Sequence, residues 1–167
     1  MRLEELNTMS MAQAEAALRP CAAVTSWVRT LVDSRPYDDH DALVETARSA
    51  AASWGEAELD EALADHPRIG ERPTGAGASA ALSSREQSGV GDDSLVRARL
   101  AEGNRRYEER FGRIYLVRAA GRSAEEMLAL LEQRLTHDPA TERAVAIDQL
   151  AEIALLRLDA LVEGPAS

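Results

Sequence analysis

Apolar positions along the chain recur at helical spacing rather than in alternation. Leu43, Val44, Ala47, Ala50, Ala51 and Trp54 share one face of a helix that Asp39 or Asp41 can cap. Ahead of it, Ser10 caps a short helix over Met11 to Leu18, and Pro20 restarts a helix that runs to Arg35 and ends at Pro36. A shorter helix from Glu56 to Ala64 closes just before His66-Pro67. Periodicity then disappears from Arg68 to Leu82, where Gly70 to Ser79 has loop composition. A loop of that length is a candidate lid or binding loop, with disorder as the competing explanation.

Ser83 to Gln87 opens a short helical piece that breaks at Gly89-Val90-Gly91. The next helix spans Asp93 to Phe111, with Leu95, Val96, Leu100 and Tyr107 on its inner side, and Gly112 stops it. Arg113 to Ala119 is β-branched and aromatic but has no partner strand elsewhere, so it reads as an extended linker beneath the core surface. Ser123-x-x-Glu126 is a capping box for a helix to Leu135, and Asp138-Pro139 starts a last helix reaching Val162. The pattern predicts an all-α, single-domain bundle of about seven or eight helices over residues 1–167, with one extended segment.

Composition agrees. Hydrophobic residues make up 45% of the 167 but aromatics only 4%, so Ala, Leu, Val and Ile must build the core. A net charge of −10, with basic residues spread along the chain, argues against nucleic acid as a partner. All 19 basic residues are Arg. Without Lys, a Schiff-base mechanism, a pyridoxal phosphate aldimine and a Walker-type phosphate loop are all excluded. The start, Met1-Arg2-Leu3-Glu4-Glu5, carries acid where a leader wants base, and no apolar run is long enough for a membrane span, so a cytoplasmic protein is expected. The lone Cys21 reads as a small hydrophobe near a helix start. His40, His66 and His137 share no metal-ligand spacing; no metal is expected, and His40 and His137 read as structural surface groups.

Three residues are candidates for chemistry. Pro67 forces His66 out of helical geometry, which holds an imidazole with a pKa of about 6.5 at one place, suited to general acid–base work. The plainer reading is a histidine at the C-terminal dipole of the preceding helix. Glu86 either closes a capping box with Ser83 or orients and charges a histidine. Arg157 lies four residues after Ile153 and four before Leu161, inside the apolar arc of the last helix. There a guanidinium must find a carboxylate or a planar cyclic urea, unless it snorkels to solvent.

Taken in order, these segments resemble the 2-oxo-4-hydroxy-4-carboxy-5-ureidoimidazoline (OHCU) decarboxylase family. The resemblance runs from Leu6-Asn7 to the final helix. It is carried by Arg35-Pro36-Tyr37, by Ala62 to Glu71 with its His-Pro-x-Ile-Gly core, by Ser83-x-x-Glu86-Gln87, by Tyr107-x-x-Arg110-Phe111-Gly112, by Gly121-Arg122-Ser123 and by Glu152-Ile153 before Leu156-Arg157-Leu158. It implies an all-helical enzyme without cofactor that turns a small ureidoimidazoline into (S)-allantoin in urate breakdown, with a homodimer left open. It implies His66 and Glu86 as catalytic residues and Pro67, Ser83, Gln87 and Arg157 as substrate-binding ones. Backbone amides of Tyr115, Leu116, Val117, Arg118 and Ala119 are implied to hold the substrate ring. The family often has a proline-aromatic pair after Phe-Gly and a cysteine before the small residues; here Arg113-Ile114-Tyr115 and Arg118 stand there, changes that a backbone contact tolerates. The alternative from another class is a non-catalytic acidic helical module that binds another protein.

Overall fold

The computed structural model describes residues 1–64 and 94–162. Among these the protein is all-α, with eight helices and no strand. They pack as two units, one formed by Met1–Ala62 with the chain from Ala151, the other by Leu63–Leu150.

The first unit opens with α1 (Leu3–Thr8), which the apolar pattern did not announce. Six residues are too few to hold a helix alone, and this one is tied down from a distance. Arg35 donates from Nη1 to the carbonyls of Leu6 (2.7 Å) and Met9 (2.9 Å) at its C-terminal end. The Asn7 side-chain amide exchanges two 2.9 Å bonds with the backbone of Tyr37. Two of the segments that carry the family resemblance, Asn7 and Arg35-Pro36-Tyr37, thus form one structural clasp.

Helix α2 (Met11–Leu18) is capped by Ser10 as expected. The helix expected from Pro20 does not form there. Arg19 to Val24 is non-helical, Cys21 is buried within that turn, and α3 (Thr25–Asp33) begins five residues after the proline. The reason is a long-range cap: the amide and hydroxyl of Thr25 both donate to Glu61 Oε1, at 3.1 and 2.5 Å. Asp39 rather than Asp41 caps α4 (His40–Ala51), accepting from the Ala42 amide at 2.8 Å. Trp54 lies past the end of α4 yet is buried, edge-on to Trp27 with centroids 6.1 Å apart. Helix α5 (Glu56–Leu63) follows, and Leu6, Leu18, Trp27, Leu31, Leu43, Leu59 and Leu158 are fully enclosed in this unit.

In the second unit, α6 (Ser94–Phe111) buries Leu100 and Tyr107, with Val96 partly covered. Leu95, expected inside, is 74% exposed, because five residues separate it from Leu100 and that step carries it well around the helix from the 96–100–107 arc. Gly112 takes φ +70° and ends α6. The chain then runs without regular structure to the turn at Gly121, φ +77°. The Ser123–Glu126 capping box forms and opens α7 (Ala124–Arg134). Asp138 accepts from the amides of Ala140 and Thr141 to start α8 (Pro139–Leu161).

Candidate active-site elements

His66, Pro67, Ser83, Glu86 and Gln87 lie outside the described residues, as do the 68–82 loop and the Ser83–Gln87 helical piece. The described candidates are Arg157, in the first unit, and Tyr115 to Ala119, in the second.

Arg157 is 3% exposed, between fully or nearly fully buried Ile153, Ala154 and Leu158. Snorkelling to solvent is therefore not what it does. Its Nη1 donates to the Pro20 carbonyl at 3.3 Å, which anchors one side of the guanidinium to the turn before α3. Its positive charge also acts on Cys21, whose thiol is nonetheless pushed up to about 12 by burial. That thiol stays protonated at neutral pH and is no nucleophile.

The stretch Tyr115 to Ala119 is buried except at Arg118, which is half-buried. Being outside helix and sheet, its backbone groups need other partners. Several are found on side chains. The Leu116 carbonyl accepts from Arg134 Nη1 at 2.6 Å, the Arg118 amide donates to Gln149 Oε1 at 3.0 Å, and the Arg118 carbonyl accepts from Arg122 Nη1 at 2.7 Å. The Ala119 carbonyl accepts from the Arg122 amide at 3.1 Å. In contrast, the amides of Leu116, Val117 and Ala119 make no hydrogen bond to any described residue. A buried amide without a partner is costly, on the order of 1–3 kcal/mol, and is a ready donor to an oxygen of a bound ligand.

Beneath this stretch lies a buried polar cluster that reasoning from the sequence missed. Glu142 Oε1 accepts from Arg134 Nε at 2.8 Å, Arg134 Nη2 at 2.6 Å and the Tyr107 hydroxyl at 2.5 Å. Its Oε2 faces His137 Nδ1 at 2.9 Å. The Arg134 guanidinium carbon sits 4.8 Å from the Tyr115 ring centroid and 5.8 Å from that of Tyr107. Burial works against the charge of Arg134, but the bond to Glu142 and the neighbouring tyrosines hold its pKa above the ordinary arginine value. Tyr115 is pushed up to about 12, chiefly by burial, and Tyr107 rises through burial and then the Glu142 bond. Both phenols stay neutral donors.

A signal for this cluster was present. Met127, Leu131 and Arg134 repeat at helical spacing, as do Glu142, Ala146 and Leu150, so Arg134 and Glu142 sit on apolar arcs by the same criterion that singled out Arg157. The surface roles expected for two histidines are corrected. The His137 side chain is 21% exposed and joins the cluster, and the His40 side chain is 12% exposed with Nε2 at 3.4 Å from Asp159 Oδ1. Among the described residues no group of three or more His, Cys, Asp or Glu is placed to hold a metal ion, and no described helix is long and apolar enough to cross a membrane.

Comparison with known proteins points in the same direction. A family model described as OHCU decarboxylase matches residues 7–159. A 2-oxo-4-hydroxy-4-carboxy-5-ureidoimidazoline decarboxylase of Amia calva is 36% identical over 105 residues, covering 61% of this chain and 60% of that protein. The protein of the same name from Haloferax volcanii is 31% identical over 128 residues, covering 75% of this chain and 74% of its own length. A solved structure, OHCU decarboxylase in the presence of (S)-allantoin, superposes with a TM-score of 0.73 at 27% identity, over 87% of this chain and 96% of that one.

Proposed function

Because this chain belongs to the OHCU decarboxylase family, we infer that it converts 2-oxo-4-hydroxy-4-carboxy-5-ureidoimidazoline to (S)-allantoin in urate breakdown. The observation that carries this reading is the family match over residues 7–159.

The chemistry asks little of the protein. The substrate bears a carboxylate and a hydroxyl on one ring carbon, beside an imine carbon. As the bond to the carboxylate breaks and carbon dioxide leaves, its electron pair forms a double bond to the imine carbon and the imine pair moves onto nitrogen, which takes a proton from solvent, leaving an enol-type intermediate. Loss of the hydroxyl proton forms the ring carbonyl while a proton reaches the neighbouring carbon from one face, which sets the (S) configuration. The electron sink belongs to the substrate.

In this reading His66 takes or relays the hydroxyl proton, and Glu86 orients the imidazole. Arg157 binds a ring or ureido oxygen as charge builds, a role supported by its burial and its anchored side chain. Pro67, Ser83 and Gln87 complete the substrate contacts. Within Tyr115 to Ala119 the amides of Leu116, Val117 and Ala119 donate to substrate oxygens, supported by their lack of a partner among the described residues, whereas the Arg118 amide expected among them is taken by Gln149. The reading extends to a single catalytic domain acting as a cytoplasmic homodimer; sedimentation velocity measures the assembly.

The test uses substrate generated fresh from urate by urate oxidase and hydroxyisourate hydrolase, with optical activity followed over time. Chirality matters more than rate here, since the substrate decays unaided to a racemate. The expected product is (S)-allantoin; racemic allantoin at the spontaneous rate refutes the reading and returns the non-catalytic interaction module. His66→Ala is expected to cost about 10²–10⁴-fold in kcat. Arg157→Ala, removing a charge-assisted hydrogen bond, is expected to raise KM by roughly 10–100-fold.

A further inference from the structure

The stretch after Gly112 has no ladder or helix to hold it, yet a segment that binds through its backbone must be held to within a fraction of an ångström. The atoms that are held show a pattern. Leu116 O, Arg118 N and Arg118 O are each engaged by a side chain, from Arg134, Gln149 and Arg122 respectively. These atoms belong to residues two apart in a stretch outside helix and sheet, so three side chains stand where a ladder would otherwise hold the backbone. Between and beside these held atoms, the amides of Leu116, Val117 and Ala119 bond to no described residue.

We infer that Arg134, Gln149 and Arg122 are positioning residues that clasp the backbone of the 115–119 stretch at Leu116 and Arg118, so that its unengaged amides, those of Leu116, Val117 and Ala119, are presented to carbonyl oxygens of the substrate. The assignment rests on the proposed role of this stretch in substrate binding.

Each arm of the clasp is itself secured. Arg134 reaches Leu116 with Nη1 while Nε and Nη2 are locked on Glu142, so one guanidinium bridges a fixed carboxylate and a backbone carbonyl. The planar fork of Arg does this; the point charge of Lys cannot hold both at once. The Tyr115 ring packs over the guanidinium, and its hydroxyl donates to the Met127 carbonyl at 3.3 Å, tying the start of the stretch to α7. On the far side Gln149 Oε1 accepts from the Arg118 amide and from Arg122 Nη1 at 3.2 Å, while that same Nη1 donates to the Arg118 carbonyl. Both arms act through the backbone of the stretch, which is consistent with Ile114 and Arg118 departing from the side chains common in the family.

The experiment compares Arg134→Lys, Gln149→Leu and Gln149→Glu with the wild-type chain by hydrogen exchange of the 113–120 peptide, by Tm, and by KM and kcat for formation of (S)-allantoin. Arg134→Lys and Gln149→Leu are expected to speed exchange of that peptide about tenfold and to raise KM about tenfold, with kcat within about twofold. Gln149→Glu keeps the acceptor oxygen and is expected to stay near wild type in both readouts. Gln149 is half-buried, so its two variants still discriminate if Arg134→Lys fails to fold. Unchanged exchange in Gln149→Leu overturns the clasp. Faster exchange with unchanged KM overturns its link to substrate. A fall in kcat at unchanged KM, tracking a lower Tm, also overturns positioning, because that is loss of folded enzyme. A wild-type chain that makes only racemic allantoin refutes the proposed activity instead, while exchange still reports on the clasp.

Discussion

Two ion pairs in the second unit have the same 2.6 Å separation and should differ severalfold in what they contribute. Arg134–Glu142 joins side chains 4% and 2% exposed; Arg99–Glu132 joins side chains 63% and 52% exposed. In the exposed pair, water already solvates both charges, and holding two long side chains in register offsets the attraction. Glu132→Gln is therefore expected to cost no more than about 0.5–1 kcal/mol. Glu142→Gln leaves a buried guanidinium facing a neutral amide and weakens the contact to His137. The expected cost is about 3 kcal/mol, the low end for breaking a buried pair, since Gln keeps an oxygen for Arg134 and the Tyr107 hydroxyl. For a chain of this length 1 kcal/mol moves Tm by about 2–4 °C, so Glu142→Gln should lower Tm by roughly 6–12 °C and Glu132→Gln by less than about 4 °C. Urea titration of both variants beside the wild type gives the free energies, with the slope checking that unfolding stays two-state. Equal shifts for the two variants would refute the reasoning, because the buried pair, with its added bonds to Tyr107 and His137, would then contribute no more than the exposed one.

Two further outcomes test the packing and the pH behaviour. Gly103 lies within α6, where a Cβ would stand 2.5 Å from Leu131 Cδ2 and 3.2 Å from its Cγ. Overpacking of about 1–3 kcal/mol should outweigh a helix-propensity gain of about 1 kcal/mol, so Gly103→Ala destabilises the wild type and turns neutral or stabilising in a Leu131→Ala background; stabilisation of the wild type contradicts the close approach. Burial raises the Cys21 thiol from 9.0 to about 12 in the fold, so its contribution is intact below pH 9 and is lost as pH rises toward 12, because only the unfolded chain ionises there. Denaturation midpoints measured from pH 8 to 10 should fall, with a slope approaching about 1.4 kcal/mol per pH unit from this thiol, and Cys21→Ala should flatten the decline below pH 10, before the tyrosines join; an unchanged slope in that variant rejects the assignment.

Where local rules decide the outcome, the sequence was readable. Ser10, Asp39, Ser123 and Asp138 cap the helices they precede, and Gly112 ends α6 at positive φ, because each acts on atoms within a few residues. The failures share a cause in long-range contacts. Helix α3 starts at Thr25 because of Glu61, and α1 exists because of Arg35 and Tyr37. Arg157 was legible as a charge on an apolar arc, and Arg134 and Glu142 were legible on the same terms. What spacing could not supply was which buried charges meet, since Arg134, Glu142 and Tyr107 come from three different helices.

The clasp on α1 bears on the order of events as the chain emerges from the ribosome. Helix α1 lacks its fasteners until the Arg35 guanidinium and the Tyr37 backbone arrive some thirty residues later. Being too short to persist by itself, it waits on the segment that follows α3, and its residues settle among the later parts of their unit.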